Sequence, residues 1–260
     1  MLVLTMKETR FLDTYHVSLK PKKIIVIIQA RTDSNRFPNK VLSLILGKPL
    51  LWHVINRTKQ IKHDRIVVVT TRRKIDNKIV EIARNSGVDC FRGKTYDVLD
   101  RFFNAAIKYR ADIIVRITAD CPLIDPTISN MIIDKYLEGG YDYVATDEQT
   151  FPKGVDTECF SFTALKKAWK KAESKLEKEH VTLYIWKNPK KFRIHILNNK
   201  HKEPYRLVVD YKNDLRLIRK IYSKLYKKNR LFSIYDTINM LKKEPYLLKI
   251  NERYEPNEII

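Results

Sequence analysis

Five β-branched aliphatic residues in unbroken succession, Ile24 to Ile28, give way at once to a loop that carries Arg31, Ser34, Arg36 and Lys40. A run so short and so uniformly apolar has no polar face, so it predicts a strand buried on both sides of a parallel sheet rather than a helix. The loop then falls at the strand's carboxyl end, where open α/β sheets bind their ligands. Its three cations and one hydroxyl can grip a triphosphate. It has no glycine, so side chains rather than a cradle of backbone amides must carry the charge neutralisation.

From Lys23 onward, strand and helix signals alternate. Leu50, Leu51, Val54 and Ile55 recur at helical spacing, Arg65 to Thr70 reads as a second strand, and a helix from Ile75 to Asn85 is stopped by Gly87. A short strand Val88–Phe91 follows, then a helix Val98–Tyr109 opened by Asp97 as N-cap. Asp112 to Thr118 reads as another buried strand, ended by Asp120-Cys121-Pro122. Pro126–Leu137 reads as a helix with proline in its first turn, and Tyr141–Ala145 as the next strand. Strand, helix and strand joined by short connections predict a three-layer α/β/α, Rossmann-like, mainly parallel sheet. Beyond it the pattern is more mixed: Val155–Phe160 extended, helices over Phe162–Ala172 and Lys178–Trp186, strands Phe192–Leu197 and Arg206–Val209, and helices Asn213–Tyr226 and Ile234–Leu241. These predict a small α+β insertion at about 150–200. Residues 1–22 read as an extension and 244–260 as an irregular tail.

Composition narrows the function. A formal net charge of +21 raises nucleic acid as a partner. The lysines are spread along helix faces and loops, and no zinc finger, basic zipper or aromatic ribonucleoprotein signature accompanies them, so specific nucleic-acid binding is not expected. No apolar stretch reaches the roughly 20 residues a membrane helix needs, and the N-terminus lacks a signal peptide's apolar core, so no membrane partner is expected. Cys90, Cys121 and Cys159 are odd in number and far apart, which suggests neither a metal site nor a disulfide framework and fits a cytoplasmic protein.

Two aspartates stand directly after strand-like runs: Asp120 after DIIVRIT and Asp210 after RLVV. Carboxylates so placed can meet over one sheet edge and hold Mg²⁺, which prefers oxygen ligands and shares them with substrate phosphates. Singly, an aspartate there is most often a turn or cap residue. Together with the cationic loop the pair suits nucleotidyl or phosphoryl transfer.

The segment QARTDSNRFPNKVL resembles the A-R-x-x-S-x-R-x-P-x-K signature of the sugar-acid cytidylyltransferases, the CMP-KDO and CMP-sialic acid synthetases, at Ala30, Arg31, Ser34, Arg36, Pro38 and Lys40. FRGKTYDVLDRFFNAA, VRITADCPLIDP, FPKGVDTECFSFTAL and EHVTLYI are similar to blocks of the branch typified by spore coat polysaccharide biosynthesis protein F. Asn39 departs from the pattern by standing where relatives often have glycine.

The resemblance implies transfer of CMP from CTP to a sugar acid of nonulosonic or KDO type, with release of pyrophosphate, by a Mg²⁺-dependent, dimeric enzyme of glycan biosynthesis. Residues 23–243 would then be the nucleotidyltransferase domain. Carried over by position, Arg31, Ser34, Arg36 and Lys40 bind the triphosphate, Lys40 or Arg31 stabilises the departing pyrophosphate, and Asp120 and Asp210 bind the metal. Thr70 and Thr71 either meet base or ribose or simply end their strand. Arg101 and Arg116 are candidates for the sugar carboxylate through their planar forks, with a surface pair to Asp97 as the alternative for Arg101. Asp156, Glu158, Glu179 and His180 are candidate acceptor contacts, and His180 is either a proton acceptor or a packed histidine. Two other functions remain compatible with these residues: a metal-dependent glycosyltransferase on the same fold, and a basic nucleic-acid-binding protein.

Overall fold

A computed structural model describes residues 21–203, 205–227 and 230–252. The strands are β1 (Ile24–Gln29), β2 (Leu44–Ile45), β3 (Lys48–Pro49), β4 (Arg65–Thr71), β5 (Asp89–Gly93), β6 (Ile113–Thr118), β7 (Tyr143–Thr146), β8 (Glu158–Ser161) and β9 (Ile194–Leu197). The α-helices are α1 (Leu50–Thr58), α2 (Asn77–Asn85), α3 (Val98–Tyr109), α4 (Pro126–Leu137), α5 (Phe162–Lys171), α6 (Lys175–Glu179), α7 (Leu183–Trp186), α8 (Lys212–Leu225) and α9 (Ile234–Lys243). Apart from the small β2–β3 hairpin, the strands form one seven-stranded sheet in the order β5-β4-β1-β6-β8-β7-β9.

The expected parallel frame is present. β1 pairs in parallel with β4 on one side and with β6 on the other, and β5 extends the sheet beyond β4. Residues Ile25 to Ile28 are fully buried, as a strand without a polar face must be. Alternation divides them between two cores. Val26 and Ile28 pack with side chains of α1, α2, α4, α8 and α9, and Ile25 and Ile27 with those of α3, α5 and α7. The three layers follow from that division. The chain leaves β1 for β4 on one side and later returns to β6 on the other, so the strand order reverses between β1 and β6 and opens a crevice at their carboxyl ends.

The second half departs from expectation in four places. β8 is antiparallel and sits inside the main sheet, between β6 and β7, with Arg116 facing Glu158 in the β6–β8 register. The segment expected as an insertion at about 150–200 therefore completes the sheet. Lys178–Trp186 is two short helices rather than one: a capping box of Ser174 and Glu177 starts α6 early, and buried Val181 at φ 40° breaks the path before α7. Arg206–Val209 joins no ladder. Its backbone crosses the sheet's end, where the Leu207 N–H donates to Lys153 O (2.8 Å) and the Val209 N–H to Asp120 O (2.9 Å). Of the tail expected to be irregular, Pro245–Ile250 is a 3₁₀ helix with Leu247 buried against α8 and α9. The N-terminal extension lies outside the described residues except for 21–22, as do 253–260 of the tail.

That crossing depends on Gly154. Its φ is +114°, and a Cβ there would stand 2.7 Å from the Leu207 carbonyl carbon and 2.9 Å from the Val208 nitrogen. Backbone cannot yield as a side chain can, and the conformation is itself unfavourable for an L-residue. Gly154→Ala is expected to lower stability by on the order of 2–4 kcal/mol in denaturant melts, whereas Gly139→Ala, with open space around its Cβ position, costs less.

Candidate active site

The crevice between β1 and β6 is a cavity of about 540 Å³ lined by Arg31, Ser34, Arg36 and Lys40 from the loop after β1, Asp120 after β6, Asp210 before α8, and Arg101, Glu179 and His180 from the opposite wall. Its size suits a small-molecule ligand.

The loop owes its shape to a buried carboxylate. Asp76 Oδ1 accepts from the Thr32 N–H (2.9 Å) and hydroxyl (2.7 Å), and Oδ2 accepts from the Thr71 hydroxyl. The chain then turns back on itself, with the Asn39 N–H donating to Thr32 O (2.8 Å). Asn39 has φ 60°, the left-handed conformation that asparagine tolerates best among side-chain-bearing residues. Lys40 follows in a single 3₁₀ turn and is buried, its side chain directed into the crevice.

At the centre, Lys40 Nζ donates to Asp120 Oδ2 at 2.7 Å and to Asp210 Oδ1 at 2.9 Å. Arg36 Nη2 reaches the same Asp210 oxygen at 2.7 Å. Burial alone would raise the Asp120 carboxyl, but the Lys40 ammonium outweighs it and holds the group at about 2. Asp210 is lowered in the same way, burial opposing and Lys40 prevailing. The Lys40 ammonium is raised: burial works against it, and the two carboxylates overcome that. The arrangement is therefore fully ionised at neutral pH. Behind it, Arg206 Nη2 spans Asp210 Oδ2 and Asp214 Oδ2, both at 3.2 Å. Asp214 also accepts from the Asp210 and Tyr211 N–H groups and from Asn251 Nδ2. Arg206, Asp214 and Asn251 escaped sequence reasoning. Asp214 lies in the first turn of α8, three residues after Tyr211, where no Ser, Thr, Asp or Asn at the N-cap marks a capping box.

Arg101 is 2% exposed, and its Nη1 donates only to the carbonyls of Lys94 (2.6 Å) and Thr95 (2.9 Å). Its Nε is enclosed with no hydrogen-bond partner among the described residues. The alternative pair with Asp97 does not form, because Asp97 caps α3 through the Asp100 N–H. Burial and the neighbouring Arg31 pull the Arg101 guanidinium down to about 10, still charged at neutral pH. Arg31 itself pairs with Glu179 at 2.9 Å.

Four expected site residues lie away from the cavity. Thr71 is 1% exposed with its hydroxyl committed to Asp76, so it meets neither base nor ribose here. Arg116 and Glu158 form an ion pair across neighbouring strands, with Gln29 Oε1 accepting from Arg116 Nε at 3.1 Å. Each occupies the other's charge, and Arg116 does not face the cavity as a free fork. Asp156 accepts from the Gly154 N–H (2.9 Å) through Oδ2 and bends the turn before β8, while its Oδ1 is enclosed and unpartnered among the described residues.

Residues 25–248 match the family described as Cytidylyltransferase. The chain belongs to that family. It is 41% identical to an uncharacterised protein of Methanocaldococcus jannaschii over 88% of this chain and 94% of that one. It is 30% identical to the spore coat polysaccharide biosynthesis protein SpsF of Bacillus subtilis, over 85% of this chain and 95% of that one. Its structure is similar to that of a cytidylyltransferase from Leptospira borgpetersenii, with a TM-score of 0.84 at 32% identity, covering 92% of this chain and 99% of that one. The fold class and family expected from the motif blocks hold. Among the described residues no helix is long and apolar enough to cross a membrane.

Burial first, and then the charge of Glu148, raise Asp156 from 3.8 to about 6. The folded chain thus holds this proton to higher pH than the unfolded chain, and stability falls as pH rises across that window and stays lowered above it. Asp156→Asn keeps an oxygen for Gly154 and removes the charge. Its melting temperature is expected to exceed wild type by a few degrees near about pH 8, the gain vanishing near about pH 4.

Proposed function

We propose that the protein transfers CMP from CTP to a sugar acid of the nonulosonic or KDO type, releasing pyrophosphate, for glycan assembly. The observation that carries this reading is the convergence of Asp120 and Asp210 on one cation position, held by Lys40 in the ligand-free chain, beside the loop cations Arg31 and Arg36. Two carboxylates meeting at one point, with no third protein ligand of the His, Cys or acidic type among the described residues, suit Mg²⁺, which keeps positions for water and substrate phosphates. Mg²⁺ held by these aspartates would neutralise phosphate charge and make the attacking hydroxyl more acidic.

The chain's own groups divide the remaining work. Arg31, Ser34 and Arg36 bind the β- and γ-phosphates. Lys40, the most deeply set of the loop cations, stabilises the charge that develops as pyrophosphate departs. Arg101 receives the acceptor's carboxylate: it is a buried cation on the wall facing the loop, with carbonyls but no carboxylate at its fork. That placement favours Arg101 over Arg116, whose charge Glu158 already balances. His180, the one histidine lining the cavity, accepts the proton of the attacking hydroxyl.

Pyrophosphate release measured with four nucleoside triphosphates against a panel of sugar acids and Mg²⁺ tests the reaction. CTP with at least one sugar acid is expected to turn over, and a folded sample that consumes no nucleotide with any acceptor refutes it. Arg101→Met is expected to raise the acceptor KM by about tenfold or more, the worth of a charge-assisted hydrogen bond, with the KM for CTP little changed. Equal effects on both substrates would remove Arg101 from the acceptor site.

A further inference from the structure

Every cation of the triphosphate loop that lines the crevice already has a carboxylate partner. Arg31 is held by Glu179, Arg36 by Asp210, and Lys40 by both Asp120 and Asp210. The Lys40 pairs are the most enclosed, with side chains 10% exposed for Lys40 and 8% for Asp210. In that setting removing one partner leaves a poorly solvated charge unbalanced, at a far higher cost than at the surface.

We propose that Lys40 is an internal stand-in for the divalent metal: its ammonium holds Asp120 and Asp210 together in the ligand-free chain, so that metal and triphosphate can enter productively only as a pair. This rests on the cytidylyltransferase reading above. A metal arriving alone must expel Lys40 from both carboxylates into a cavity whose walls also carry Arg31, Arg36 and Arg101, where no other acid waits for it except Glu179, already paired. A triphosphate arriving alone draws Lys40 and Arg36 away and leaves half-buried Asp120 facing Asp210, with Arg206 as the one cation among the described residues still beside them. When both arrive, the metal takes Asp120 and Asp210 while the phosphates take the cations, and only the half-exposed Glu179 gives up a partner. Each ligand therefore lowers the cost of binding the other, which is positive thermodynamic coupling. The chemistry of the side chain fits the role. An ammonium is a compact point charge with three donors that can face two carboxylates as an ion would, whereas a guanidinium presents a planar fork.

Mn²⁺ binding to the ligand-free protein, read by the free-ion signal in electron paramagnetic resonance, tests this without turnover. Wild type is expected to bind Mn²⁺ weakly. Lys40→Met and Lys40→Gln are each expected to bind it at least about tenfold more tightly although both lose catalysis, because a coupling of that size is then no longer opposed. Adding Asp120→Asn to Lys40→Met should abolish the gain. A lysine with a purely structural role would move affinity the other way. Folded Lys40→Met and Lys40→Gln proteins that bind Mn²⁺ no better than wild type overturn the proposal. Should neither fold, equal affinity of wild type for CTP with Mg²⁺ and with chelator overturns it as well. Failure of every substrate pair to release pyrophosphate would refute the cytidylyltransferase reading alone, while an active wild type whose Lys40 variants gain no Mn²⁺ would refute only the role of the lysine.

Discussion

One ammonium joins three distant parts of the chain. Lys40 comes from the loop after β1, Asp120 from the end of β6 and Asp210 from the segment that crosses the sheet before α8, and their contacts of 2.7 and 2.9 Å are the point at which those segments meet. Much of the surrounding structure serves that meeting. Asp76 shapes the loop from beneath through Thr32. The backbone bond from Val209 to Asp120 brings the second aspartate to the first. Arg206, Asp214 and Asn251 then fix the orientation of Asp210 from behind. Buried charges of this kind contribute little net stability by themselves, so their concentration here is better explained by a task that needs charge at that place.

The charges in and behind the crevice are balanced by carboxylates, with one exception. Arg31, Arg36 and Lys40 face carboxylates, Arg116 faces Glu158, and Arg101 alone of these guanidinium and ammonium groups is turned toward carbonyl oxygens. Asymmetry of that sort divides the cavity into two electrostatic regions. At one end each cation meets a carboxylate, and at the other Arg101 meets only carbonyl oxygens.

How much of this was legible follows from which interactions are local. The runs around Ile24, Arg65 and Asp112 identified the parallel frame because each strand is buried on both faces and shows it in consecutive residues. Asp97, Pro126 and Gly87 marked helix ends within a few residues of where they fall. Arg206–Val209 looked like a strand because Leu207, Val208 and Val209 are buried, but its hydrogen bonds go to Lys153 and Asp120, which no local pattern reveals. Arg116 and Arg101 have the same side chain and both are largely enclosed. Only the register that sets Glu158 opposite Arg116 separates a structural pair from a cation left for a ligand. Asp76 and Asp214 were missed for the same reason: Thr32, far from Asp76, and Asn251, far from Asp214, are brought to them only by the fold.

The position of β8 has a consequence for how the molecule comes into being. Because β8 lies between β6 and β7, the strand Tyr143–Thr146 has no direct neighbour in the parallel half of the sheet and must wait for chain synthesised after it. The second aspartate of the crevice, Asp210, arrives later still, on a crossing that packs over Gly154. Contacts so far apart in sequence close large loops and form late. An incompletely made or incompletely folded chain thus displays the cationic loop without its counter-charges, and the closed charge pairing of Lys40 with Asp120 and Asp210 becomes a report that the chain has been assembled as far as α8.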